Sequence, residues 1–321
     1  MVTNGTQSAE DASTAAPGPQ YAVHSIDHYA LEVPDLGIAE HFLDAFGLIV
    51  RRNNDCLEVF AGDGHCWARF HEGDRKRLAY LSFNCFSGDF EGIRRQLADA
   101  GAAFAEDVPF DGRAEGVWFF DVDGNLIQVR VGPKTSPGAK PAARLESAPA
   151  GKRGATVRSL VRKIRPRRLS HVLMFSPNVA HALDFYRRAL GLRLSDRSGD
   201  VIAFTHAPHG SDHHLLALVQ SSAKGWHHAA WDVQNVNEVG QGATQMANAG
   251  YTRGWGTGRH VLGSNYFFYV LDPWGSFCEY SADMDYIPSG QVWPAGDFPP
   301  EDSLYQWGPD VPDYFIRNTE V

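Results

Sequence analysis

The sequence predicts an α+β protein assembled from four βαβββ modules, two in each half of the chain, and three observations carry that reading. The segment HYALEVPDLGIAEHFLDAFGL from His28 reappears as HVLMFSPNVAHALDFYRRALGL from His171, with an alternating run, a Pro-containing corner, an amphipathic stretch and a closing Gly in the same order. LAYLSFNCFSGDFEGIRRQLADAGA from Leu78 aligns without gaps on HAAWDVQNVNEVGQGATQMANAGY from His228 when Ala79 is set opposite His228. DVDGNLIQVR from Asp121 likewise matches DPWGSFCEYS from Asp272. Repetition of one supersecondary unit constrains architecture more tightly than local propensity does, because each copy buries its apolar face against its neighbours.

In chain order, residues 1–20 are rich in Ala, Ser, Thr, Gly and Pro without hydrophobic periodicity, and a disordered tail is expected there. An N-terminal domain of two modules follows over 21–134. Residues 135–167 are Pro/Ala/Gly-rich and then strongly basic, with Arg158, Arg162, Lys163, Arg165 and Arg167 close together and Arg168 following directly. They read as an inter-domain linker, the alternative being a patch for an anionic partner. A C-terminal catalytic domain is expected over 168–285. In its first module His171, Leu173 and Phe175 share one strand face, since strand side chains alternate. Asn178 can cap the next helix, Leu183, Tyr186 and Leu190 recur at helical spacing, and Gly191 can end it. The extension 286–321 is aromatic and Pro-rich with no helix or strand period, and it either walls a pocket or forms a peripheral wrap or subunit contact.

Composition narrows the function classes. With 43% hydrophobic and 21% charged residues the chain can bury a core, and its net charge of -9 argues against a nucleic-acid partner. No window holds about 18 consecutive apolar residues and no signal-peptide pattern opens the chain, so no membrane partner and a cytoplasmic location are expected. Cys56, Cys66, Cys85 and Cys278 show no CxxC pairing, which points to buried thiols rather than a disulfide framework or thiolate zinc site.

The chemistry-bearing residues sit in the second half. His171 opens the first strand of module three, His228 that of module four, and Glu279 lies on the last strand after the Asp272-Pro-Trp-Gly275 turn. Two imidazoles and one carboxylate can hold one face of iron(II) and leave the opposite positions open for substrate and dioxygen. The aligned places in the first half hold His28, Ala79 and Gln128, so one metal site is expected, with the N-terminal site lost. His214, in DHHLLAL, His260, in GTGRHVLGSN, and Tyr269, in NYFFYV, complete a set able to take a phenolic proton, donate to reduced oxygen and return a proton. Trp118 stands where Tyr269 stands and cannot act as an acid.

These residues resemble the type I extradiol dioxygenases of the vicinal oxygen chelate superfamily, the group that includes 2,3-dihydroxybiphenyl and catechol 2,3-dioxygenases. The resemblance covers roughly residues 22–285 and is most specific at HVLMFSPN, DHHLLAL, WHHAAWDV and GRHVLGSNYFFYVLDPWGSFCEY. It implies two vicinal-oxygen-chelate (glyoxalase/bleomycin-resistance-like) domains, Fe(II) or occasionally Mn(II), a catecholic substrate and O₂, a muconic semialdehyde product in aromatic degradation, and a homo-oligomer. Carried over by position, His171, His228 and Glu279 match the metal ligands, His214 the catalytic histidine, His260 the substrate-bonding histidine and Tyr269 the active-site tyrosine. His228 is preferred over His227 because it sits on its strand as His171 does, and His214 over His213 because LLAL continues directly from it. The competing readings are a metal-dependent isomerase of glyoxalase type and a non-catalytic aromatic-ligand-binding protein of the same fold.

Overall fold

The computed structural model describes residues 21–53, 56–110, 115–143 and 147–321, so the tail expected over 1–20 lies outside the described residues. Module one is β1 (Val23–Val33), α1 (Leu36–Phe46), β2 (Ile49–Arg52), β3 (Cys56–Phe60) and β4 (Cys66–Glu72). Module two is β5 (Arg77–Cys85), α2 (Phe90–Asp99), β6 (Ala103–Phe104), β7 (Val117–Phe120) and β8 (Leu126–Val131). Module three is β9 (Arg168–Ser176), α3 (Val179–Leu190), β10 (Arg193–Ser198) and β11 (Ile202–His206), the short β12 (Ser211–Asp212), and β13 (Leu216–Gln220). Module four is β14 (Gly225–Asp232), α4 (Val236–Asn248), β15 (Gly254–His260), β16 (Tyr266–Leu271) and β17 (Phe277–Ala282). The same unit is thus used four times.

Each half forms one sheet with the same strand permutation. The first runs β2-β3-β4-β1-β5-β8-β7-β6, and the second repeats it as β10-β11-β13-β9-β14-β17-β16-β15. Within a module the first strand lies parallel to the last, and between paired modules the two first strands run antiparallel. The helices end as the sequence predicts. Asn178 accepts from the His181 amide, and Gly191, at φ 68°, closes α3 in the left-handed region.

One buried apolar cluster runs through both halves. α1 packs on α4 and α2 on α3. Phe46 stacks on Tyr280 at 3.9 Å, the Tyr280 hydroxyl donates to the Phe46 carbonyl, and the Tyr186 hydroxyl donates to Asp121. The segment between β8 and β9 holds one short 3-10 turn (Arg158–Leu160) and is tied down at its ends, by Thr135 to Ile26 and by the Ile164 amide to Gln245. The four cysteines are free. Among the described residues no helix is long and apolar enough to cross a membrane.

The extension differs from its sequence reading, which found no helix or strand period. It contributes β18 (Tyr286–Ile287), β19 (Gly296–Asp297), α5 (Pro300–Ser303) and β20 (Tyr305–Trp307). β19 joins the second sheet beside β10 and β20 beside β15, so both edges of that ten-stranded sheet belong to the extension. Strands of two or three residues carry too few alternations to register as a pattern, and the pairing partner supplies their conformation.

Candidate metal centre and active site

Three adjacent strands, β9, β14 and β17, place the candidate ligands. Ala230 on β14 pairs with His171 on β9 and with Glu279 on β17. His228 stands two residues before Ala230 and so shares its face. Tyr269 on β16 pairs with Glu279 and joins the same face. The small Ala230 side chain leaves the middle of the group open.

The donor atoms converge. His171 Nε2 and His228 Nε2 lie 3.3 Å apart, and Glu279 Oε2 lies 3.3 Å from the first and 3.4 Å from the second. One ion at ordinary first-row bond lengths of about 2.0–2.2 Å would touch all three. All three residues are buried, and these are the residues able to hold a metal among the described ones. Glu279 Oε1 accepts from Asn265, yet Oε2 is buried without a hydrogen-bond partner. A buried, unpartnered carboxylate oxygen is costly, and a cation is the partner that this donor set fits.

The remaining predicted residues line one cavity of about 260 Å³ in front of the triad, together with Leu173, Phe175, Phe204, Val219 and residues of the extension. Among the described residues its lining includes no Lys, Arg, Asp or Glu. The His214 ring lies 4.1 Å from that of His171. His260 Nε2 lies 2.9 Å from the Tyr269 hydroxyl, and its Nδ1 lies 2.7 Å from the Leu304 carbonyl. A carbonyl only accepts, so Nδ1 carries the proton and Nε2 accepts from Tyr269.

Both histidine doublets are built alike. His227 also borders the cavity; its Nε2 meets the Phe315 carbonyl at 2.8 Å, and its Nδ1 meets His228 Nδ1 at 2.7 Å. His213 meets Asp196 at 2.8 Å through Nε2 and His214 Nδ1 at 3.0 Å through Nδ1. Burial pushes the His214, His228 and His260 imidazoles below their ordinary range and takes His227 down to about 4, so these rings are neutral. Burial and the Glu279 charge push the Tyr269 phenol well above 10. Neutral His227 holds its proton toward the Phe315 carbonyl, so neutral His228 donates from Nδ1 and presents an Nε2 lone pair. Asp196, Asn265 and Ala230 had no place in the sequence reading; their contacts are cross-strand, and nothing in their own segments marks them.

The first half closes the equivalent place. Gln128 stands opposite Trp118 as Glu279 stands opposite Tyr269, and Ser82, opposite both His28 and Gln128, takes the position of Ala230. The equivalent of His228 is therefore Tyr80, not Ala79 as the gap-free alignment had it. The segments differ downstream of the strand, where α2 has 10 residues and α4 has 13, so an alignment without gaps cannot keep strand and helix in step together. Tyr80 puts its hydroxyl 2.9 Å from His28 Nε2, and Trp118, Phe110 and Val108 pack around it.

Comparison with known proteins gives the family and the fold. The family model described as "Glyoxalase/Bleomycin resistance protein/Dioxygenase superfamily" matches residues 168–280. Metapyrocatechase 2 of Cupriavidus necator is 73% identical over 321 residues, covering 100% of each chain. Among solved structures, the Mn(II)-bound glyoxalase from Novosphingobium aromaticivorans superposes with a TM-score of 0.74 at 24% identity, covering 92% of this chain and 95% of that one. The 2,3-dioxygenase LapB from Pseudomonas sp. KL28 gives 0.69 at 19% identity, covering 86% and 98%.

Proposed function

Because the chain belongs to the extradiol dioxygenases of the glyoxalase/bleomycin resistance protein/dioxygenase superfamily, we propose that it cleaves an uncharged catechol beside its diol, with Fe(II), or Mn(II) in its place, held by His171, His228 and Glu279. The reaction consumes one O₂ and places both oxygen atoms in a muconic semialdehyde. The observation that carries this reading is the partnerless Glu279 oxygen facing two imidazole nitrogens, whose histidines line a mostly apolar cavity. An isomerase needs the metal but not the His214, His260 and Tyr269 set. A pure binding protein needs no metal ligands.

Ferrous iron bound there supplies the electrons that activate dioxygen and the charge that makes a catechol hydroxyl acidic. The chain's own groups manage protons and position. His260 Nε2, already accepting from Tyr269, is the base for a proton arriving through that hydroxyl. His214 Nε2, a lone pair in the resting protein, takes a second proton and then faces oxygen as an N–H donor while negative charge develops. Phe175, Phe204 and Leu173 exclude water and stack against the ring. A cavity lined by no Lys or Arg offers a carboxylated catechol no counter-ion, which is why an uncharged ring is the expected substrate. A homo-oligomer belongs to the same reading, with Phe104 and Phe120 exposed on the β6–β7 edge as its apolar contact, and sedimentation velocity reads the assembly state.

The test is anaerobic loading with Fe(II), then catechol, alkylcatechols and a carboxylated catechol in air, recording oxygen uptake and the yellow absorbance of the opened ring. Stoichiometric O₂ consumption with yellowing, absent in His228→Ala and Glu279→Ala and weak on the carboxylated ring, is expected. Metal-loaded protein that binds catechols and consumes no oxygen would sink the dioxygenase reading in favour of a non-oxidative enzyme or a ligand-binding protein.

A further inference from the structure

Three hydrogen bonds behind the site lead to one stretch of chain, whereas His171 Nδ1 is backed by its neighbour Ser170 Oγ at 3.3 Å. Phe315 offers its carbonyl to His227 Nε2 at 2.8 Å and Leu304 its carbonyl to His260 Nδ1 at 2.7 Å. Gly296 donates its amide to Asp196 Oδ1 at 2.7 Å, leaving Oδ2 for His213 Nε2 at 2.8 Å. The same stretch pairs with both edges of the sheet and lines the cavity through Pro300, Ser303, Leu304, Phe315 and Ile316.

A neutral imidazole has one N–H and one lone pair, so fixing the proton on one nitrogen decides what the other presents. Phe315 holds the His227 proton on Nε2. His227 Nδ1 is then an acceptor, His228 must donate from its own Nδ1 across 2.7 Å, and His228 Nε2 is left as a lone pair 3.4 Å from Glu279 Oε2. Asp196 does the same for His214 through His213, and Leu304 leaves His260 Nε2 open to Tyr269. We propose that the extension 286–321 is a positioning element that sets the tautomers of the site histidines, with His227 as the relay through which it prepares His228 for the metal.

The extension is anchored far from the cavity, which makes the frame rigid. Half-buried Glu320 receives Lys76 from the first half at 2.7 Å and the Trp226 amide at 3.0 Å. The Asn318 amide group donates to the Ala223 and Lys224 carbonyls, and Tyr314 bonds both the amide and the carbonyl of Gly254. His227 itself is packed against Phe175, Phe277 and Phe315, so its ring has no room to turn over.

This inference rests on His228 being a metal ligand, and the experiment separates the two claims. In the full-length Fe(II)-loaded protein, the rate of iron transfer to a coloured chelator is measured without oxygen or substrate. His227→Phe keeps the packing but leaves His228 Nδ1–H without an acceptor; release about 10- to 100-fold faster than wild type is expected. His227→Asn restores an acceptor where Nδ1 stood and is expected to return most of that loss. Equal release from wild type and a folded His227→Phe would overturn the relay. Should His227→Phe not fold, long-range ¹H–¹⁵N correlation of the histidines in the full-length Zn(II)-loaded wild type decides. N–H on Nε2 of His227 and His213 and on Nδ1 of His214 and His260 is expected; N–H on Nδ1 of His227 with metal bound would overturn the inference and leave the ligand set standing. A wild type that takes up no metal would overturn the ligand set itself.

Discussion

Ala230 is fully buried between strands and pairs with two of the three candidate ligands, so its size is a condition for the centre. Ala230→Leu directs a larger side chain into the space the donor atoms face. A folded protein by circular dichroism, with metal affinity lower by at least about tenfold, is expected on titration; unchanged affinity would show that the metal sits elsewhere. Glu279→Gln keeps the volume and an acceptor for Asn265 but removes the charge, and its metal content after dialysis is expected near zero. At this scale the sequence was readable where two copies could be compared. His171, His228 and Glu279 stood out because the repeat put a non-ligand at two of the three matching places. The roles of His213 and His227 were not readable, since His213 lies between strands and His227 at an irregularity in strand pairing, where alternation does not say which way a side chain turns and only tertiary partners do. The carbonyls of Leu304 and Phe315 leave no trace at all, because any residue offers one.

At the scale of elements, α3 tests how far the capping signals go. Asn178→Ala removes the acceptor for the His181 amide and is expected to cost about 1 kcal/mol. Gly191→Ala is the harsher change. Its φ is 68°, and a Cβ there would lie 2.5 Å from the Tyr21 carbonyl and 2.6 Å from the Ala22 side chain, where the first half meets the second. Strained backbone and clash together are expected to cost at least about 2 kcal/mol, read as a shifted urea midpoint at unchanged slope. A loss no larger than that of Asn178→Ala would show that the junction gives way. These helices and the long strands were legible because each carries several periods of its pattern. The register of β5 was not. Period two makes a one-residue slip change the face of every side chain, and the unequal lengths of α2 and α4 force such a slip on a gap-free alignment, which is how Ala79 came to stand where Tyr80 belongs.

At the scale of the molecule, the two halves have separate sheets but share one buried cluster, with Phe46 against Tyr280 and Tyr29 against Trp226 crossing between them. Neither half covers its apolar surface alone, so calorimetry of the full chain is expected to show one transition; two resolved transitions would mean that the halves unfold independently. The pH dependence of that transition follows from histidines buried in both halves. Burial lowers His24, His206 and His227 from 6.5 to about 4. Unfolding returns each to its ordinary value, so below pH 6.5 the unfolded chain binds protons that the native protein refuses. Their contribution is therefore fully present above pH 6.5 and is lost as pH falls toward 4. For these three alone, up to about three protons taken up near pH 5 correspond to roughly 4 kcal/mol per pH unit, and His28, His209, His214, His228 and His260, also lowered by burial, add to that slope. Asp232 and Asp272, raised by burial, work in the opposite sense and soften the slope. The melting temperature of the metal-free protein is expected to fall steeply between pH 6.5 and 4.5 and to stay nearly level from pH 7 to 8. A melting temperature level down to pH 5 would show that these histidines take up protons without unfolding.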